Sequence, residues 1–446
     1  MIEQPSSVLF YARDFLSQEF PALAQNLPTY ERVYIVTKQI EADNVTQRDP
    51  KGHIFDLGAY IRDTTPAMIV RDAQFAHMHT LVARDRYLRR MTPPQIAQVV
   101  HGLRRMLDDI AANFSVEFYF DEPVSGFIND AINRWVRAGG GQCCHFQTTW
   151  LPGHMFFAAD AGQKEPVALN MMEGGEAKIE THIEQRLKNQ ALPAYLHNYN
   201  SPLRTLKETI RFAAMGLNRM WRKSSIFIDS DPWPHFFQAR CLWMSLFARY
   251  DKMSEFKQLD NPKLVVFPLH YEPEAVIYYF SKFTNQLDLA CAIFDRLPPD
   301  TYLVLKEHPS QPGATRLPKW RELLANERVK IIKGTDKLAD LLAFESAVVS
   351  IASTAALEAA MLGRPAYVVG TPHFRHFPGV KAIDDVNTLE LKWDQTAVPH
   401  SEMAKWYGAY LDANATPLQI MRGRTNIPDP VALLRSLGLD AEQARA

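Results

Sequence analysis

Two α/β halves of Rossmann-like type, separated by a helical stretch, are the fold that the sequence predicts. Three observations predict it. Short runs of β-branched and aromatic residues alternate with helical stretches through residues 1–172. The alternation stops over 173–256, which reads as a helical insertion or linker, and it resumes with a cleaner period over 257–385. Strands alternating with helices argue for parallel sheets covered by helices. Residues 386–446 then turn polar and helical, with Trp406, Tyr407 and Tyr410 on one face, and are expected to pack back on the first half.

In the first half, 8–11, 32–36 and 67–70 are apolar runs of strand length. From 92 to 113 the spacing changes to helical: Ile96, Val99, Val100, Leu103, Met106, Leu107 and Ile110 share one face. Pro93 and Pro94 stand where first-turn prolines are tolerated. A strand at 116–120, a helix at 126–138 and a strand at 142–147 come next, with Gly139-Gly140-Gly141 stopping the helix. Those glycines lie after a helix rather than a strand, so they are not a phosphate loop. In the middle, Ile226-Phe227-Ile228 alone resembles a strand. The stripe Met220, Trp221, Phe236, Phe237, Trp243, Met244 and Phe247 reads as a helical core or a partner face. Strands return at 263–268, 302–305, 329–332, 347–351 and 366–369, each separated by a helical stretch, which is the doubly wound pattern.

Composition narrows the function classes. Hydrophobic residues make up 47% and charged residues 22%, as in soluble globular proteins. The 49 basic and 50 acidic side chains leave a net charge of −1, without the surplus expected of a nucleic-acid binder. Four cysteines show no Cys-x-x-Cys spacing and read as reduced thiols. His77-Met78-His79 and His373-x-x-His376 lack a further ligand at metal spacing, so no metal site is expected. Met1-Ile2-Glu3-Gln4-Pro5 does not open a signal peptide, and no uncharged stretch reaches bilayer length. The expectation is a cytoplasmic protein, at most peripheral at the inner membrane.

Open parallel sheets bind ligands beyond the carboxyl ends of their strands. Two such halves facing across a cleft are the plan of the two-Rossmann-domain, or GT-B, glycosyltransferases, so strand ends are where chemistry is sought. Leu269-His270-Tyr271-Glu272-Pro273-Glu274 leaves the first strand of the second half. One of its carboxylates could act as base or nucleophile, with His270 orienting it or meeting phosphate. Lys306-Glu307-His308-Pro309 leaves the next strand, and Pro309 bars helical geometry at His308. A cation beside an imidazole suits a phosphate leaving group. After Ser350, Ser353 and Thr354 precede a run of helix formers containing Glu358, and Gly363 ends it. A hydroxyl N-cap there would aim free N–H groups and the positive dipole end at an anion. In the first half, Asp121-Glu122-Pro123 comes after a strand, and Glu122 would face the cleft opposite Glu274.

Together FPLHYEPEA, LVLKEHPS and SIASTAALEAAMLGRPAYVVG resemble the bacterial capsule polysaccharide biosynthesis family, which includes transferases of Kdo from CMP-Kdo in capsule and lipopolysaccharide assembly. The resemblance covers about residues 264–370, and only the strand before Asp121-Glu122-Pro123 extends it into the first half. The Lys-x-His-Pro block also resembles the His-Pro motif of bacterial sialyltransferases. In the Kdo transferases a Leu-Gln segment precedes a catalytic Asp by four residues; Leu269-His270 and Glu274 stand in those places. The resemblance implies Glu274, Glu122 and His270 as the catalytic set. It implies Lys306, His308, Pro309, Ser353, Thr354 and Glu358 as the nucleotide- and phosphate-binding set. Glu for Asp and His for Gln depart from the family pattern, as does the helical insertion.

The resemblance further implies a metal-independent transferase without a cofactor. It would take a CMP-sugar donor and a glycan or glycolipid acceptor, and no nucleic acid. Peripheral association with membrane polysaccharide-assembly machinery and a homo-oligomer are the further partner expectations. The alternatives are a CDP-polyol phosphotransferase of teichoic-acid type and a non-catalytic subunit of capsule assembly or export.

Overall fold

The structure is a computed structural model that describes residues 4–439 except 28, 66–84, 124–125, 161–165, 190–200, 222–230, 284, 392–396, 421–424 and 427–428. The strands expected at 67–70 and 226–228 and the pair His77 and His79 lie outside the described residues. The chain divides into two compact units, the first from Met1–Gly175, Ser225–Ile228 and Ala409–Ala446, the second from Glu176–Ser224 and Asp229–Gly408. Both are α/β and built on a largely parallel sheet, the class expected from the alternation.

The first sheet contains β1 (Ser6–Tyr11), β2 (Glu31–Val36), β3 (His53–Asp56), β4 (Ser115–Asp121), β5 (Gln142–Thr148) and β6 (His154–Ala158). The second contains β7 (Lys263–Pro268), β8 (Thr301–Lys306), β9 (Val329–Ile332), β10 (Glu345–Ser350), β11 (Ala366–Val368) and β12 (Val380–Ala382). Near the C-terminus, β13 (Ala415–Pro417) returns to the first sheet. The strand orders are β13-β6-β5-β4-β1-β2-β3 and β12-β11-β10-β7-β8-β9. All pairs of the second sheet are parallel. In the first, β5–β6 and β6–β13 are antiparallel.

The central strands read as apolar runs because both faces are covered. Val8, Leu9 and Phe10 are buried, and so are Leu264 to Phe267. In β1, Phe10 stacks between Tyr34 and Phe120 on one face, while Leu9 joins the cluster with Val99 and Leu103 on the other. The helix Pro93–Asn113 supplies that second face. Its start is fixed by Thr92, whose N–H donates to Gln95 Oε1 at 2.8 Å.

The sequence pattern does not predict four of the strands: β3, β6, β12 and β13. They are short, and all lie in the outer part of a sheet. Pairing and packing hold such strands, so their own residues carry little pattern. The helices Pro202–Trp221 and Trp233–Ser245 match the helical reading of the middle segment. The core reading of its aromatic stripe fails at Met220, Trp221, Trp243 and Phe247, which are exposed.

Candidate functional site

The order of the second sheet reverses between β7 and β10, and ligands of open α/β sheets sit at such a reversal. The chain leaving β7 carries His270 and Glu274, the chain leaving β8 carries His308, and the chain leaving β10 carries Ala352 to Thr354. These three loops meet. His270 Nδ1 lies 3.2 Å from Glu274 Oε2, and the Ala352 N–H donates to His270 Nε2 at 3.4 Å. A carboxylate only accepts and an N–H only donates, so His270 carries its proton on Nδ1 and gives it to Glu274.

His308 has the opposite arrangement. Its Nδ1 accepts the Ser310 N–H at 3.1 Å, which leaves Nε2–H as the ring's outward donor. Burial holds its pKa down at about 4; Glu274 pulls it upward, while His270 and Lys306 lower it further. Three residues that the sequence singles out are thus within electrostatic reach of His308. Lys306 donates to the carbonyl oxygen of Gly334, and burial lowers its pKa to about 8 against the pull of Asp336 and Glu358. Gly334 is required here, because a Cβ would collide with the backbone of Glu307 and Pro309.

The helix Thr354–Met361 starts at the end of this edge. Ser353 caps it, its Oγ accepting the Ala355 N–H at 3.2 Å, and Thr354 is exposed at the first turn. Ser353 satisfies part of the helix start, and the N–H groups of Ser353 and Thr354 have no partner among the described residues. Glu358 is one turn further on and is buried. Its Oε2 accepts from Arg186 Nη2 at 2.8 Å, and burial raises its pKa, countered by Arg186. As a carboxylate it offers no donor to phosphate, so its link to an anion would run through the Arg186 guanidinium.

The loop's residues alone leave Glu272 and Glu274 as equal candidates, and the family resemblance points to Glu274. The structure separates them: Glu272 Oε1 accepts from Gln286 at 2.9 Å and Oε2 faces Lys319 Nζ at 3.1 Å, leaving Glu274 to His270. The groups that hold the loop escape sequence reasoning. Gln286 Oε1 accepts the His270 N–H at 2.6 Å and its amide donates to the His270 carbonyl at 3.1 Å. Gln311 treats Glu272 in the same way, at 2.8 Å and 2.7 Å. Glu307, between the two candidate phosphate ligands, points away into the protein. Its carboxylate accepts from Gly313 N, Thr315 N, Thr315 Oγ1 and Tyr250 Oη. No local pattern announces Gln286, Gln311 or Arg186, because their partners are distant in sequence. An acid between a lysine and a histidine gives no sign of being buried.

In the first unit the sheet order reverses between β1 and β4, and Arg13, Asp121 and Glu122 leave those strands. Arg13 Nη2 meets Glu122 Oε2 at 2.7 Å. Asp121 is fully buried and accepts from Tyr119 Oη at 2.7 Å and from the Glu122 N–H at 2.7 Å; the sequence pattern does not mark it as a site residue. Burial raises its pKa to about 7, with Arg13 acting against the rise. His145 donates from Nδ1 to the Glu122 carbonyl at 3.1 Å and accepts from Asn133 at 2.5 Å; burial holds its pKa near 4. Glu122 and Glu274 belong to different units.

No group of three or more His, Cys, Asp or Glu side chains forms a metal cluster among the described residues. His373 is half-buried and packs edge-on against Phe374 and Phe377, and loss of water around the ring pushes its pKa down to about 4. No helix among the described residues is long and apolar enough to cross a membrane.

The second unit is therefore an α/β unit whose sheet edge gathers two imidazoles, a carboxylate, a half-buried lysine and a helix start, a class suited to anionic ligands. Residues 247–424 match the family described as capsule polysaccharide biosynthesis protein, and this part of the chain carries that family's pattern. No curated protein matches the chain. Among solved structures, the beta Kdo 2,7 transferase KpsC of Thermosulfurimonas dismutans is 12% identical, with 75% of this chain and 89% of that chain covered at a TM-score of 0.35. A putative UDP-N-acetylglucosamine 2-epimerase from Listeria monocytogenes is 13% identical over 98% and 95%, at a TM-score of 0.27. The wall teichoic acid polymerase TagF is 11% identical over 91% and 83%, at 0.26. At such scores none of these overlaps assigns an activity.

Proposed function

We propose that the chain is a glycosyltransferase of bacterial surface-polysaccharide synthesis, capsule or lipopolysaccharide. In this reading it transfers an acidic sugar such as Kdo from a CMP-sugar to a glycan or glycolipid acceptor. The observation that carries the reading is the convergence of Glu274, His270 and His308 at one strand edge, beside Lys306 and the start of the Thr354–Met361 helix. The match of residues 247–424 to the capsule family supports the pathway.

A CMP-sugar of this class carries one phosphate and a sugar carboxylate, and the edge offers donors for both. His308 Nε2–H and the N–H groups of Ser353 and Thr354 would hold the phosphate. Lys306 would compensate the charge that grows on it as the sugar–phosphate bond breaks. Glu274 is kept in place by His270 Nδ1–H. As base, it takes the acceptor hydroxyl proton while the acceptor oxygen bonds to the anomeric carbon and CMP departs. As nucleophile, it bonds to that carbon as CMP departs, and the acceptor hydroxyl then displaces it, its proton passing to the released carboxylate. In this reading neither metal nor cofactor takes part.

Calorimetry of CMP binding tests this, with wild type beside His308→Ala and with CDP-glycerol and UDP-GlcNAc as competitors. The expected result is micromolar CMP binding, weakened about ten- to a hundred-fold in the variant through loss of a charge-assisted contact. Preference for CDP-glycerol over CMP would move the assignment to polyol-phosphate transfer. Absence of any nucleotide binding would make the chain a non-catalytic assembly subunit.

A further inference from the structure

The helix Pro202–Trp221 is amphipathic the wrong way round for a core helix. Its apolar side chains Leu203, Leu206, Ile210, Leu217 and Met220 recur at alternating spacings of three and four, with Ala213 filling the one gap. That stripe looks outward: Leu203 is 80% exposed, Ile210 62%, Leu217 52% and Trp221, beside its end, 86%. One flank of the stripe, with buried Thr205 and Gly216, turns inward, and Gly216 lies so close to Phe236 of the helix Trp233–Ser245 that a Cβ would collide with the ring. The adjoining helix and the turn after it add exposed Trp233, Trp243 and Phe247.

A continuous exposed apolar stripe marks a docking face, and two features decide its occupant. The helix carries Arg204, Lys207, Arg211 and Arg219 against a single acid, Glu208, which Arg211 neutralises at 2.6 Å. Exposed Arg240 and Arg249 extend the basic surroundings. A second copy paired along this seam would need complementary charges beside it. The flanking positions instead hold Lys207, Ala214 and Trp221 on one side and Thr209 and Gly216 on the other. Leucine and tryptophan toward the acyl boundary, with arginine and lysine reaching for headgroups, is the pattern of a helix lying in a membrane interface.

We propose that the helix Pro202–Trp221 docks the protein on an anionic lipid surface. The helix lies in the interface plane and does not cross it. This inference is independent of the donor reading, because the helix contributes none of the strand-edge residues.

The test is cosedimentation of the full chain with phosphatidylcholine vesicles, with and without phosphatidylglycerol, for wild type and for the double variant Ile210→Glu with Leu217→Glu. Wild type should pellet with the anionic vesicles, and salt should weaken the association. The double variant should bind at least about ten-fold more weakly, and Lys207→Glu about five-fold or more. Both replaced apolar residues are exposed, so circular dichroism and CMP binding should be unchanged in the variant, which separates failure here from failure of the nucleotide site. Equal pelleting of variant and wild type, or no association with anionic vesicles, overturns the proposal. Light scattering that shows a wild-type dimer made monomeric by the double variant would give the seam to a second copy and equally overturn it.

Discussion

The two strand edges are built from similar parts and use them differently. In the first unit Arg13 answers Glu122, Tyr119 and a backbone N–H answer Asp121, and Asn133 and the Glu122 carbonyl occupy both ring nitrogens of His145. In the second, only one ring nitrogen of His308 is used among the described residues, and the start of the Thr354–Met361 helix retains unused N–H groups. A sheet edge whose acids are each met by its own donors holds those acids in place. An edge with donors left over is arranged for an anion from outside. Position at a sheet reversal is thus common to both edges, and hydrogen-bond satisfaction distinguishes them.

The largest effect should come from breaking the second edge at its buried support. Glu307→Ala removes an acceptor used by four donors, three of them on the loop 313–315, and leaves them unsatisfied. The expected cost is about 3–5 kcal/mol, a large part of a domain's stability, read from urea unfolding. If Glu307→Ala unfolds like wild type, the loop does not depend on that carboxylate.

The first edge is sharpened by pH. Asp121 keeps its proton to about pH 7 in the fold, whereas an unfolded aspartate releases it near its ordinary value of 3.8. Between those values the folded state binds more protons, so this group's contribution to stability falls as pH rises toward 7. Asp121→Asn should remove that part of the slope, measured as the difference between the two proteins' unfolding free energies from about pH 4 to about pH 8. A constant difference would mean that Asp121 is ionised throughout.

The smallest effect concerns the lysine. With a pKa of about 8, Lys306 begins to lose its charge just above neutrality. Phosphate favours the charged form, so CMP affinity should fall as pH rises through about 8, by at most about ten-fold per pH unit. Lys306→Gln should bind more weakly near neutral pH and show a flat profile over that range. An unchanged profile would place the ammonium outside the nucleotide's reach.

Legibility in the sequence tracks chain proximity. Strands β7, β8 and β10 are readable because central parallel strands are apolar on both faces, and His270, Glu274 and His308 are readable because they sit just past β7 and β8. Arg186 is not: 172 residues separate it from Glu358, and no pattern links an arginine on one helix to an acid on another. Glu307 is invisible for a different reason, since neighbouring residues on an extended chain point to opposite sides. The exposed stripe on Pro202–Trp221 is legible as apolar, but only burial tells an outward stripe from a core one.

The two glutamines carry one more consequence. By taking the N–H and giving to the C=O of His270 and of Glu272, the side chains of Gln286 and Gln311 copy the contacts of a neighbouring strand. The loop beyond β7 therefore behaves as an extension of the sheet. Its amides at His270 and Glu272 should exchange with deuterium on the timescale of strand amides, far more slowly than surface loops, and a ligand arriving at His270 meets backbone already fixed during folding.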